Sequence, residues 1–321
     1  MRSQAPKEGH EVISHSPLTI FCALALCNAP VTARGADEVQ GAKSIDIGGG
    51  ITLHYVEQGN GSPLILIHGS LSDMTYWQGQ MEPLAKRYRV IAYSRRYNWP
   101  NQNPARSGYS AETDAEDLAK FIAALHLGKV YVIGHSYGAL ATLFLLTRHP
   151  ELVKAAVLAE PPLVPLLRDL PPPETSNGRA LYDDIQAHMV SPMKFEFGQG
   201  RTEAGTSAFI DYVFHDPQGW QKLNAASRAD TLKDAHEWDV MMANGNLFPE
   251  IPRSKLKAIH VPLLIMSGGQ SPQFLNLIGK ELAHILPDSE SVVFQDSGHQ
   301  MWMQHPNEAR ADAEAFFAKH P

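Results

Sequence analysis

The sequence predicts an α/β fold, a mostly parallel sheet flanked by helices and interrupted late in the chain by a helical insertion. Three observations predict it. From residue 43 onward, short runs of strand length alternate with longer segments of helical spacing. Several of the short runs are apolar at every position, as expected of parallel strands covered on both faces. The alternation lapses over residues 162–258 and resumes at Pro262.

The segments follow in order. Leu18-Thr19-Ile20-Phe21-Cys22-Ala23-Leu24-Ala25-Leu26 is an uncharged run too short to span a bilayer as a helix. Arg2 and Lys7 precede it, offset by Glu8 and Glu11, and the small residues Val31-Thr32-Ala33 follow. This reads as a secretory signal peptide over residues 1–33, giving a periplasmic or secreted protein after cleavage and a cytoplasmic one without it. Leu26 is too large for the small residue that precedes a lipidated cysteine, which argues against lipidation at Cys27. Ile51-Thr52-Leu53-His54-Tyr55-Val56 alternates and predicts an antiparallel edge strand, and Gly59-Asn60-Gly61-Ser62-Pro63 a turn. Buried strands are expected at 64–67, 89–93, 130–133 and 155–159. Helices are expected at 111–125, with Leu118, Ile122 and Leu125 on one face, and at 140–149. Pro161-Pro162 and Pro171-Pro172-Pro173 bracket the entry to the insertion, whose pieces are helix-like. Strands resume at 262–266 and 291–294, with helices at 274–286 and 306–318. The organisation is a core over 34–161 and 259–321 with a helical cap at 162–258.

Composition narrows the function. The 321 residues are 44% apolar and 19% charged, enough for a full hydrophobic core without staples. A net charge of −7 with no Lys/Arg block is a poor match to nucleic acid or anionic lipid. No run after the signal reaches the length of a membrane span. The only two cysteines, Cys22 and Cys27, exclude a four-cysteine zinc site; if the signal is cleaved, the exported chain has no cysteine. No metal and no cofactor are expected.

Three motifs carry chemistry. Gly134-His135-Ser136-Tyr137-Gly138 fits G-x-S-x-G where the strand at 130–133 meets a helix. The glycines permit a sharp turn that lifts a serine above the sheet, and the helix N-terminus turns backbone N–H groups toward developing negative charge. His68-Gly69-Ser70 closes the strand at 64–67; His68 reads as a packing residue, not a base. Asp296-Ser297-Gly298-His299 follows the last strand and precedes the closing helix, where His299 can take a proton from Ser136 and return it.

These pieces in this order resemble the α/β-hydrolase superfamily, from about Ile45 to the C-terminus. The resemblance implies an eight-stranded sheet in which the strand at 155–159 is the sixth and the insertion caps the site. It also implies Ser136 as nucleophile, His299 as base, and the backbone N–H groups of Ser70 and Tyr137 as the oxyanion hole. A serine sets the chain apart from haloalkane dehalogenases and epoxide hydrolases, which carry aspartate there. The chain departs from the common pattern at the third member. Most relatives place an Asp after the seventh strand, and Ser271 stands there instead. Glu160, at the end of the sixth strand, is the expected acid, in which the chain looks like zearalenone lactonases and some dehalogenases. Asp296 and Asp239 are lesser candidates.

The insertion is rich in methionine and aromatic residues, most of which are expected to form its own core. A few of them, with Trp220, Trp238, Met241 and Met242 as candidates, are expected to line an apolar pocket together with Leu71 and Trp302 of the core. Arg95 and Arg96, on a loop, are expected to be solvated rather than to bind an anion. The leading expectation is a serine hydrolase that cleaves a small, mostly hydrophobic ester or lactone through an acyl-enzyme. Carbon–carbon bond hydrolysis or cofactor-free dioxygenation on the same fold is a second reading. A non-catalytic binding protein is a third.

Overall fold

The computed structural model describes residues 39–321, so the predicted signal peptide lies outside the described residues. Eight strands form one sheet: β1 (Lys43–Asp46), β2 (Thr52–Gln58), β3 (Ser62–Ile67), β4 (Tyr88–Tyr93), β5 (Val130–His135), β6 (Val153–Ala159), β7 (Leu263–Gly268) and β8 (Ser289–Phe294). Their order across the sheet is β1-β2-β4-β3-β5-β6-β7-β8. Strands β3 to β8 are mutually parallel, and β2 runs antiparallel to β4. The strand predicted at the edge is β2, yet it is not the edge. Strand β1 pairs antiparallel outside it, from Lys43 opposite Tyr55 to Asp46 opposite Thr52. The short and mostly polar β1 gave little periodic signal.

Helices α1 (Gln78–Ala85), α2 (Ala111–Ala124) and α3 (Tyr137–Arg148) belong to the first half of the sheet. Ser110 caps α2 by accepting from the Glu112 N–H at 3.3 Å, and Glu112 and Asp114 lie in its first turn, where the helix dipole favours them. Between β6 and β7 the chain forms α4 (Thr175–Ile185), α5 (Ser191–Gly198), α6 (Thr202–Val213), α7 (Gly219–Lys222), α8 (Ala225–Lys233), α9 (His236–Asn244) and α10 (Arg253–Lys257), with no strand. Helices α11 (Gln273–Ile285), α12 (Met301–Gln304) and α13 (Pro306–Lys319) complete the chain. Among the described residues no helix is long and apolar enough to cross a membrane.

Period-two alternation along the buried strands divides the core in two. Ile65 and Ile67 of β3 join Val132, Leu118, Phe121, Leu140 and Ile278 on one face. That cluster continues into the insertion through Ile185, Met193 and Trp238. Leu64 and Leu66 join Val90, Ile133, Val157 and Met266 on the other, against Trp77, Phe316 and Phe317. Helices α1 and α13 cover that second face.

Candidate active site

The carboxyl ends of β5, β6 and β7 lie side by side and are bonded together. Ser136 N–H donates to the Ala159 carbonyl at 2.8 Å, and Glu160 N–H to the Met266 carbonyl at 3.1 Å. Ser136 sits between β5 and α3 with φ 53° and ψ −120°. Five non-glycine residues among those described have positive φ, and Leu71, Ser136 and Glu160 are three of them. Such backbone is costly for a side chain and persists where surrounding contacts hold it, which is common at functional sites.

Glycine is required at both ends of the elbow. A Cβ on Gly134 would lie 2.7 Å from the Gly138 carbonyl oxygen and from Thr142 Oγ1. A Cβ on Gly138 would lie 2.5 Å from the backbone oxygens of Ile67 and His68. The elbow is thereby pressed against the end of β3. Gly69 in turn approaches the serine so closely that an added Cβ would stand 3.0 Å from Ser136 Cβ. The segment carrying Ser70 therefore lies against Ser136, and Tyr137 follows it at the start of α3.

Glu160 is 1% exposed, and both of its oxygens are bonded. Oε1 accepts from the Gly268 N–H at 2.7 Å, and Oε2 lies 2.5 Å from His299 Nδ1. The carboxylate accepts, so Nδ1 carries the ring proton and Nε2 remains the basic nitrogen. The loop bearing His299 is bound to the end of β7: Gly269 N–H donates to the Phe294 carbonyl at 2.8 Å, and Gln270 N–H to that of Ser297 at 2.9 Å. Gly268 permits this, since a Cβ there would lie 2.4 Å from the Gly298 oxygen. His299 itself keeps 17% of its side chain exposed.

His135 braces the same loop. Its Nε2 donates to the His299 carbonyl at 2.9 Å, and the two rings lie 4.7 Å apart. Tyr76 stacks on His135 at 5.1 Å and donates its hydroxyl to Gln300 Oε1 at 3.1 Å. Burial, and then the nearby His299, push the His135 imidazole down to about 3, so it is a neutral donor at ordinary pH. His68 is also neutral and buried, held well below the usual histidine range by burial and by Arg95. It donates from Nδ1 to the Gly69 carbonyl at 2.8 Å and accepts the Arg95 N–H on Nε2 at 3.0 Å.

The other acids lie elsewhere. Asp296 is 79% exposed in its side chain and pairs with His305 at 3.3 Å, and Asp239 accepts from Thr202 Oγ1 at 2.9 Å. Ser271 is buried beside Gly268 and carries no carboxylate.

The pocket candidates divide. Met241 Sδ accepts from the Tyr137 hydroxyl at 3.5 Å, and Leu71 N–H donates to Glu237 Oε1 at 2.6 Å, so both touch the elbow or the segment beside it. Met242 is partly buried against the same core cluster. Trp238 packs on Phe209 at 4.7 Å and is buried within the insertion. Trp220 is also buried, its indole N–H donating to Glu203 at 3.1 Å. Trp302 corrects the expectation. It is 3% exposed and packs edge-on to Trp77 at 5.2 Å in the second core cluster, because α12 turns it beneath the sheet.

The arginine pair is the second correction. Arg95 is 0% exposed, and Arg96 is buried in a two-pronged bond to Asp117, both distances 2.6 Å. Both guanidinium groups are neutralised by carboxylates from distant parts of the chain, which no local window of sequence reveals. Gly268, Tyr76 and Glu237 stand around the site without having been singled out from the sequence, and His135 and Arg95 make bonds there that the sequence did not assign. Only the glycine pair at 268–269 offered a signal.

A model of the alpha/beta hydrolase fold family matches residues 62–306. The chain is 24% identical over 286 residues to an (E)-2-((N-methylformamido)methylene)succinate hydrolase of Acinetobacter baylyi, covering 87% of this chain and 99% of that protein. Among solved structures it is similar to a carboxylesterase of Bacillus subtilis, with TM-score 0.65, 19% identity, and coverage of 86% of this chain and 90% of that one. It is equally similar to an enol-lactonase of Burkholderia xenovorans, with TM-score 0.65, 19% identity, and coverage of 86% and 100%. These structural likenesses show the fold.

Proposed function

The chain belongs to the alpha/beta hydrolase fold family, and from that premise we propose that it is a serine hydrolase cleaving a carboxylic ester or lactone of a small, mostly hydrophobic substrate. One observation carries the proposal: a buried carboxylate, bonded on both oxygens, holds His299 Nδ1 at 2.5 Å on the strand next to the strained Ser136. In this reading His299 Nε2 takes the hydroxyl proton as Ser136 Oγ bonds to the substrate carbonyl carbon. The carbonyl oxygen, now anionic, accepts from the backbone N–H groups of Ser70 and Tyr137. Collapse breaks the bond to the leaving oxygen, which takes the proton from the imidazolium. Water, deprotonated by His299, then displaces Ser136 and releases the acid. Glu160 holds the tautomer and stabilises the transient imidazolium.

The neutral, apolar character of the substrate is supported by Met241 and Leu71 beside the elbow. It is also supported by Arg95 and Arg96, whose charges are already met by carboxylates of the chain. A fluorophosphonate probe followed by mass spectrometry tests the nucleophile. The expected label is on Ser136, and an unlabelled Ser136 refutes the mechanism. A panel of p-nitrophenyl esters, aryl lactones and β-diketones tests the substrate class. Turnover of the diketones alone would overturn the ester or lactone reading.

A further inference from the structure

The 69–70 peptide carries one of the two N–H groups assigned to the oxyanion hole. In a trans peptide the carbonyl and the N–H point in opposite directions, so whatever fixes the Gly69 carbonyl also aims the Ser70 N–H. Two donors fix it: His68 Nδ1 at 2.8 Å and Arg95 Nη2 at 3.0 Å. The next peptide is held as well. Leu71, at φ 52°, donates its N–H to Glu237 Oε1 at 2.6 Å, and Glu237 Oε2 binds Arg95 Nη2 at 2.5 Å. Arg95 Nη1 reaches Asp114 Oδ2 at 2.8 Å and the Tyr109 hydroxyl at 3.2 Å, which anchors the guanidinium to α2. Its Cζ lies over the Tyr137 ring, 4.9 Å from the centroid. One fully buried cation thus bonds the carbonyl of the peptide that carries the Ser70 N–H and lies over the ring of Tyr137, whose N–H is the other donor assigned to the oxyanion.

We propose that Arg95, held by Glu237 from the insertion, is a positioning residue that orients and polarises the 69–70 peptide for oxyanion stabilisation. This inference rests on the serine-hydrolase reading. A charged donor on the Gly69 carbonyl strengthens the dipole of the whole peptide and makes the Ser70 N–H a better donor. Glu237 gives the insertion a second role besides covering the site, since it bonds one flank of Ser70 directly and the other through Arg95. A purely architectural ion pair would hold α9 to the core with no effect on the transition state.

The test is the saturation kinetics of fluorophosphonate labelling at Ser136 in the full chain, because the phosphoryl oxygen develops charge in the same hole. Wild type, Arg95→Met and Glu237→Gln are compared, with thermal melts and the labelled fraction at completion. For Arg95→Met the maximal labelling rate is expected to fall about 10- to 100-fold, less than the 10²–10³ of losing a donor outright, with the half-saturating concentration within about twofold. Glu237→Gln keeps an acceptor for Leu71 N–H but loses its charge, and a fall of roughly 3- to 10-fold is expected. A folded Arg95→Met that labels at the wild-type rate overturns the proposal. So does a lower labelled fraction at an unchanged rate, the signature of a merely structural role. If Arg95→Met does not fold, Glu237→Gln decides by the same criterion. Wild-type Ser136 taking no label is a different failure: it removes the serine reading and this inference with it.

Discussion

At the scale of single residues, burial dictates bonding. A buried polar group without a partner is costly, and Glu160, at 1% exposure, has both carboxylate oxygens bonded. The two bonds have different uses. The Gly268 N–H locks the side chain, which leaves Oε2 only one place to be. Replacing Glu160 by Gln keeps an acceptor for Gly268 but sets an amide N–H₂ against Nδ1, favouring the wrong tautomer of His299. A fall in kcat of about 10²–10⁴ with an unchanged melting temperature is the expected result on any ester the wild type turns over. Steady-state kinetics with circular dichroism melts checks it, and a change of less than threefold would point to another acid.

At the scale of elements, glycines decide where helices can dock. Gly138 lies in the first turn of α3 against the end of β3, and an added methyl would meet two backbone oxygens at 2.5 Å. Backbone cannot give way as a flexible side chain does, so Gly138→Ala must displace α3 and the elbow with it. Gly79, in α1, is exposed, has no positive φ, and has no atom within 4 Å of the place an added methyl would take. There the helical preference for alanine is uncompensated, and Gly79→Ala is expected to stabilise by about 0.5–1 kcal/mol. Gly138→Ala is expected to lose roughly 2 kcal/mol or more, and most of the activity, through overpacking. Urea midpoints of the two variants against wild type should move in opposite directions.

At the scale of the whole molecule, the corner between α8 and α9 ties the insertion to the core. Lys233 pairs with Asp73 at 2.7 Å and lies over the Trp99 ring at 4.4 Å, while Asp234 accepts the Trp99 N–H at 2.7 Å. Burial, and then Asp73, push the Asp234 carboxyl well above the usual range, with Lys233 pulling the other way. The native state therefore keeps a proton that the unfolded chain gives up, and this group's contribution to stability falls as pH rises above about 4. Lys233→Met removes the only counter-charge among these groups and raises the Asp234 carboxyl further. The variant is expected to lose about 2–4 kcal/mol, more at pH 8 than at pH 5. Melting temperatures at the two pH values check the sign; an equal loss at both would place the effect in packing on Trp99 alone.

The parallel sheet, the helical stretch after β6, the sharp turn at Ser136 and the place of His299 between a strand and a helix were legible in the chain. These depend on local pattern: apolar runs of strand length, glycines spaced for a sharp turn, and a histidine between a strand and a helix. The resemblance pointed further to Glu160, since Ser271 stands where most relatives carry an Asp and a glutamate ends the sixth strand. The outer strand β1 escaped because a short polar strand has no apolar rhythm. The bonds between residues far apart in the chain were not legible there. Arg95 is neutralised by Asp114 and Glu237, Gly268 meets Glu160, and Trp302 turns under the sheet onto Trp77. A charge on a loop looks solvated until its partner is known, and a tryptophan just after His299 looks free to line a pocket until the helix carrying it is placed. Hydrogen bonds and ion pairs form by distance in space, and the sequence records distance only along the chain.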